Sequence, residues 1–217
     1  MLNPSAQRAR GRPRDPEKDR MILEAATALF MERGFEASSM EAIAERAGVS
    51  KMTLYARFKD KDALFAASVQ AKCESFVGES LFTALAGESV AQGLARIARS
   101  FVALVTDPGA VSVLGLINRE SARAPQLAGL FFDVAVLRML ARMQEFLALH
   151  IRAGHLAMPP ECLAGASWRF LGAVKGEAHL RAMLTLPPPP SASLEAHVQS
   201  CVQDFLQLYA VPKAELR

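Results

Sequence analysis

The chain has 217 residues, 51% of them hydrophobic, and a formal net charge of only +3. That length is enough to bury a substantial core, and so small a charge excludes a uniformly basic nucleic-acid coat. Cys73, Cys162 and Cys201 are far apart with no C-x-x-C spacing, which argues against a disulfide framework or a zinc site and for structural thiols in a reducing compartment.

The charge is unevenly placed. Residues 1–61 hold 12 Lys/Arg against 9 Asp/Glu, whereas residues 62–217 hold 13 of each. The whole positive excess therefore lies at the N-terminal end, where a polyanion would be met. Alanine and leucine outnumber β-branched residues, which predicts an all-helical fold.

In chain order, residues 1–14 lack apolar periodicity and read as a flexible basic arm in which Arg8, Arg10, Arg12 and Arg14 recur. Asp15 followed by Pro16 looks like an N-cap with proline at the first helical position. The helix this starts should bury Ile22, Ala25, Ala26, Leu29 and Phe30 and stop at Gly34. A second helix should begin at Ser38 or Ser39, with Ser38 and Glu41 spaced as a capping box. Gly48 then supplies a turn and Ser50 caps a third helix that turns Val49, Leu54 and Phe58 inward.

Two short helices bent around a glycine, the second carrying basic and hydroxyl groups, make the shape of a helix-turn-helix. Such a module lays its second helix in the major groove of DNA. Residues 15–62 thus read as a three-helix DNA-binding bundle, and residues 63–217 as a larger helical domain. In that larger domain helices are expected over about 62–83, 89–105, 110–122, 126–153, 161–184 and 193–209. The breaks fall at Gly87, Asp107-Pro108-Gly109, Pro125, Pro159-Pro160 and the four prolines 187–190.

Helix 126–153 has two adjoining apolar stripes, Leu130, Val134, Leu137 and Ala141 beside Val136, Leu140, Met143 and Leu147, so it should be buried among several helices. In the last helix Leu194, Val198, Cys201, Phe205 and Leu208 alternate spacings of four and three. The helix before it carries Gly165, Gly172 and Gly176, small residues that permit close helix approach. These two helices would form half of an intermolecular four-helix bundle in a homodimer; the other reading packs both within one chain.

The first turn of the third helix holds Lys51, Met52 and Thr53, placed to reach base edges: lysine donates to guanine O6/N7, threonine meets a thymine methyl. Tyr55, one turn on, would set its hydroxyl on a phosphate, and Arg57 and Lys59 are further cationic candidates. Arg12 and Arg14 on the arm suit a narrow minor groove, or else add only nonspecific attraction. An apolar cavity in the larger domain would draw on Phe101, Leu116, Phe131, Met139 and Met143. Trp168 and Phe170 would extend it, with Arg119, Glu120 or His179 as polar handles for a small hydrophobic or aromatic ligand.

No G-x-S-x-G, P-loop or G-x-G-x-x-G occurs, and His150, His155, His179 and His197 show no metal-ligand spacing. Neither catalysis nor a metal nor a cofactor is expected. The N-terminus lacks an apolar signal core, and no run of about 18 apolar residues escapes a charge, proline or glycine, so a soluble cytoplasmic protein without membrane partner is expected.

At Ile43-Ala44, Ala47-Gly48-Val49-Ser50, Thr53-Leu54-Tyr55, Phe58 and Lys61 the sequence resembles the TetR/AcrR family of bacterial transcriptional regulators, with Ala28-Leu29-Phe30 and Gly34-Phe35 flanking the match. The resemblance covers about residues 18–65. It implies a dimer on double-stranded DNA, released by a small effector, with Tyr55, Lys61 and Ser39 on the phosphate backbone. Met52 departs from the glycine common in the family, adding bulk at the base edges. Arg119-Glu120-Ser121-Ala122 before Pro125 is similar to the AefR-like subgroup of ligand domains. Two other readings are a regulator answering to a protein partner, and a helical small-molecule-binding protein with a vestigial DNA head.

Overall fold

The computed structural model describes residues 15–83 and 87–211; Arg12 and Arg14 lie outside them. Ten α-helices follow one another with no strand among the described residues. Helix α1 (Pro16–Arg33) is capped by the Asp15 carboxylate accepting from the Glu17 amide and ends at Gly34, φ 84°. Helix α2 spans Met40–Arg46, α3 Lys51–Tyr55 and α4 Lys61–Phe76. The cap of α2 is Ser39, which accepts from the Ala42 amide. Ser38, the expected capping-box residue, is instead buried and donates back to the Gly34 carbonyl at 2.8 Å. Of two adjacent serines, the one left at the surface caps the helix.

The helix expected over 62–83 stops at Phe76, and a 3₁₀ turn, Glu79–Phe82, carries the chain onward. Ser89 and Gln92 close a capping box that starts α5 (Val90–Thr106). Asp107 and Pro108 bend the chain into α6 (Pro108–Glu120). The stretch expected as one helix over 126–153 is α7 (Gln126–Phe131), a π-helical segment over Phe132–Leu137, and α8 (Arg138–Arg152). Helices α9 (Leu163–Met183) and α10 (Ser191–Tyr209) complete the chain.

The π segment explains the two apolar stripes. Widening the turn shifts the helix's register, so Leu130 and Val134 pack against one core while Leu140, Met143 and Leu147 are buried in another. Leu137 and Ala141 of the first stripe are exposed. The N-terminal core gathers Ile22, Phe30, Phe35, Ile43 and Leu54, but also Leu64, Phe65 and Val69 of α4 and Leu116 and Ile117 of α6. The second core is built from α5, α8, α9 and α10. Helices α4 and α6 pack against both cores, Leu64, Phe65, Leu116 and Ile117 in the first and Cys73, Phe76 and Ala110 beside the second.

The head is tied to α4 by an aromatic cluster, Phe30, Phe35 and Phe65, with ring centroids 5.2, 5.9 and 6.2 Å apart. Three interlocked rings make a stiff joint, because each is fully buried and touches the others. No single helix among the described residues is long and apolar enough to cross a membrane.

Candidate functional site

The turn before α3 is set by Gly48 at φ 65°, a left-handed conformation that favours glycine. Ser50 then accepts from the Thr53 amide at 3.1 Å, and the Ser50 and Thr53 hydroxyls lie 2.9 Å apart. Leu54 is fully buried and anchors the helix. The opposite side stands in solvent: Met52 is 82% and Tyr55 49% exposed, and Lys51 is exposed. Lys51 Nζ sits 3.3 Å from the Glu41 carboxylate, whose pKa is lowered by its own backbone amide and then by that lysine.

Other expected contacts divide by environment. Ser39 and Ser50 are exposed caps, and Lys59 is almost wholly in water, 4.0 Å from Asp60. Arg57 is not a free cation: its guanidinium pairs with Asp19 and donates to the Asp15 carbonyl, latching the turn after α3 to the start of α1. Lys61 is likewise engaged, donating to the carbonyls of Phe35 at 2.9 Å and Glu36 at 3.2 Å and lying 4.6 Å over the Phe35 ring. Both cations hold the head together.

A cavity of about 170 Å³ opens between the two cores. Val69 and Lys72 of α4, Phe101 and Leu104 of α5, and Ala110, Val113 and Leu114 of α6 form one side. Phe131, Ala135, Val136 and Met139 on the π segment and its neighbours, with Trp168, Leu171, Gly172, Lys175 and His179 of α9, form the other. Phe101, Phe131, Met139, Trp168 and His179 thus line it as expected. Leu116, Met143 and Phe170 do not: each is packed solidly inside a core. Arg119 is exposed on α6. Glu120 is buried instead against Gly34, at the joint between α6 and the head, with its Oε2 lacking a hydrogen-bond partner.

Lys72, Lys175 and Cys73 are lining residues that apolar patterning missed, since a lysine on a helix reads as solvated. Lys72 Nζ is paired with Asp107 at 2.8 Å. Burial pushes the Cys73 thiol pKa up, so it is a poor nucleophile. His179 Nδ1 lies 2.8 Å from the Val105 carbonyl, which can only accept, so that nitrogen carries a proton.

The expected intermolecular seam is corrected in part. Val198, Cys201 and Phe205 are buried in the body core, and Leu194 is packed against it. An alternation of four and three suits any helix pair, and here α10 spends it on α5 and α9. The outward positions are Leu208, 69% exposed, and on α9 Gly172, Gly176 and Leu180, with Gly165 half-buried.

Comparison with known proteins gives two family models. The model described as bacterial regulatory proteins, tetR family, matches residues 22–68, and that of the AefR-like transcriptional repressor C-terminal domain matches residues 92–211. The regulator titled flavonoid-responsive regulator FrrA is 33% identical, with 92% of this chain and all of that chain covered at a TM-score of 0.75. A chain described as a TetR-family regulator from Mesorhizobium loti is 31% identical over the same shares, at 0.74. The transcriptional repressor ComR of Escherichia coli is 26% identical over 72% of this chain and 74% of its own length. The uncharacterized regulator YdeS of Bacillus subtilis and the activator FasR of Mycolicibacterium smegmatis are 48% and 40% identical, but the match spans only 29% of each.

Proposed function

This chain belongs to the tetR family of bacterial regulatory proteins and is a DNA-binding transcriptional regulator, and from that premise we propose a homodimeric repressor that a small effector releases from a palindromic operator. The observation that carries the ligand response is the double duty of α4. Its N-terminal turns, at Leu64 and Phe65, are buried with Phe30 and Phe35 in the head, while Val69 and Lys72 on the next turns wall the cavity. A molecule that fills the cavity pushes on a rigid helix already fused to the DNA-reading bundle. To release DNA it must prefer the DNA-incompetent geometry, because equal affinity for both states shifts nothing.

Repression is favoured by the AefR-like description of the body and by ComR; FasR, an activator, is matched over only 30% of this chain. The flavonoid-responsive name of FrrA, similar along nearly the whole chain, supports a small-molecule signal over a protein-borne one, as does the cavity itself. Pairing would use the outward faces of α9 and α10, at Gly165, Gly172, Leu180 and Leu208. Each subunit then presents Lys51, Met52, Thr53 and Tyr55 to successive major grooves about 34–36 Å apart, or a multiple of that. Ser39, Ser50, Lys59 and the arm residues Arg12 and Arg14 would meet the phosphates and minor groove.

Selection of bound sequences from random DNA tests this reading. An inverted repeat should emerge, and Tyr55→Phe should weaken binding to it by about 5- to 10-fold through loss of one phosphate hydrogen bond. Enrichment of nothing, or of an isolated half-site, would refute a dimeric reader.

A further inference from the structure

We propose that the cavity between α4, α6 and α9 takes an aromatic anion, an arenecarboxylate or ionised phenol, whose charged oxygen is held by Lys175. This rests on the effector-cavity reading above and adds the chemical class of the ligand.

The walls are hydrocarbon and aromatic apart from Lys72, Lys175, His179 and the Cys73 thiol, and no carboxylate lines them. Lys72 is already neutralised by Asp107. Lys175 is different: it is half-buried, and among the described residues it has no ion pair or hydrogen bond. Its ammonium has no counterion, so it is free to pair with an anion that enters between the apolar walls. His179 follows on the same helix. Because its Nδ1 donates to the Val105 carbonyl, Nε2 is its remaining nitrogen and can accept from a hydroxyl substituent elsewhere on the ligand's ring.

The apolar part of the ligand follows from the other walls. Trp168 and Phe132 stack at 6.4 Å and 27°, giving a flat aromatic surface beside the cavity. A volume of about 170 Å³ suits a single substituted ring, given that a dry cavity of roughly 150 Å³ holds benzene. The raised pKa of Cys73 argues for reversible capture rather than thiol addition. Two lysines in the lining disfavour a cationic guest.

The chain has a single tryptophan, Trp168, and it lines the cavity, so its fluorescence reports occupancy directly. The test titrates the full chain with three probes of one shape and different charge: 4-ethylbenzoate, 4-ethylbenzamide and 4-ethylbenzylammonium. The benzoate should bind about 10- to 100-fold more tightly than the amide, the worth of one charge-assisted hydrogen bond, and the ammonium most weakly. Lys175→Met should abolish that preference, and an unchanged helical circular-dichroism signal and Tm report that the variant is folded. Equal binding of benzoate and amide, or a preference that survives Lys175→Met, overturns the ligand class while leaving the cavity reading intact. If none of the probes perturbs Trp168, both readings fail. The probe series on the unmodified chain decides the charge preference without any variant.

Discussion

Gly176 lies within α9 at φ 44° and ψ −151°, a conformation nearly confined to glycine, and breaks the helix between the cavity residues Lys175 and His179. His197 of α10 sits at the break: its Nε2–H donates to the Ala173 carbonyl at 3.0 Å. A Cβ at Gly176 would stand 2.5 Å from His197 Nε2, so the imidazole would have to leave. Gly176→Ala therefore adds about 1–3 kcal/mol of backbone strain and forfeits a hydrogen bond worth about 0.5–1.5 kcal/mol, together roughly 2–4 kcal/mol. In a chain of this size that lowers Tm by about 5–15 °C. Urea unfolding of Gly176→Ala, His197→Ala and the double variant should show the double variant about 0.5–1.5 kcal/mol more stable than additivity, because the shared clash and bond are counted once. A Gly176→Ala chain within about 0.5 kcal/mol of the parent would refute the reasoning, since α9 would then straighten without cost.

Arg57→Met should lower stability by about 1–2 kcal/mol by undoing the latch to Asp19, yet leave the salt dependence of DNA binding unaltered; Lys59→Met should leave Tm alone and reduce the salt slope by about 1. Glu120→Gln should raise stability by about 1 kcal/mol in urea unfolding, since it replaces a buried carboxylate with an unpartnered oxygen by a neutral group of the same shape. His150 faces Phe146 and, at 3.2 Å, the Nδ1 of His155; burial first and then His155 hold its pKa below the ordinary 6.5. The unfolded chain therefore takes up the proton first, and stability should fall as pH drops through about 6.5 and level off above it, a slope that His150→Gln should flatten in urea midpoints measured from pH 5 to 8.

The head was legible because its signals are local. Asp15-Pro16, Gly34, Gly48 and Ser50 each act on backbone within a turn of themselves, and the apolar side of α3 follows from Leu54 alone. Ser38 and Ser39 show where such signals stop: both have the chemistry of a cap, and only tertiary burial separates them. The body was legible as helices but not as surfaces. Met143 and Phe170 are as apolar as Met139 and Phe131, and whether such a side chain fills a core or lines a cavity depends on which neighbours are missing. Lys175 carried no signal for the same reason in reverse, because periodicity assigns every lysine to water. The seam of α10 encodes a helix neighbour without saying whose. The π segment left a trace as two stripes on one helix, which a single periodicity could describe only as a broad face.

The most direct measurement is the affinity of the chain for its selected operator as a function of salt. Several phosphates neutralised per subunit predict a log–log slope of roughly −5 to −9, from about 0.9 per phosphate. That slope should become shallower by about 1 for a Lys59→Met chain, whose lysine stands almost wholly in water just past α3. A slope near zero, or one indifferent to Lys59, would contradict the assignment of this face to DNA.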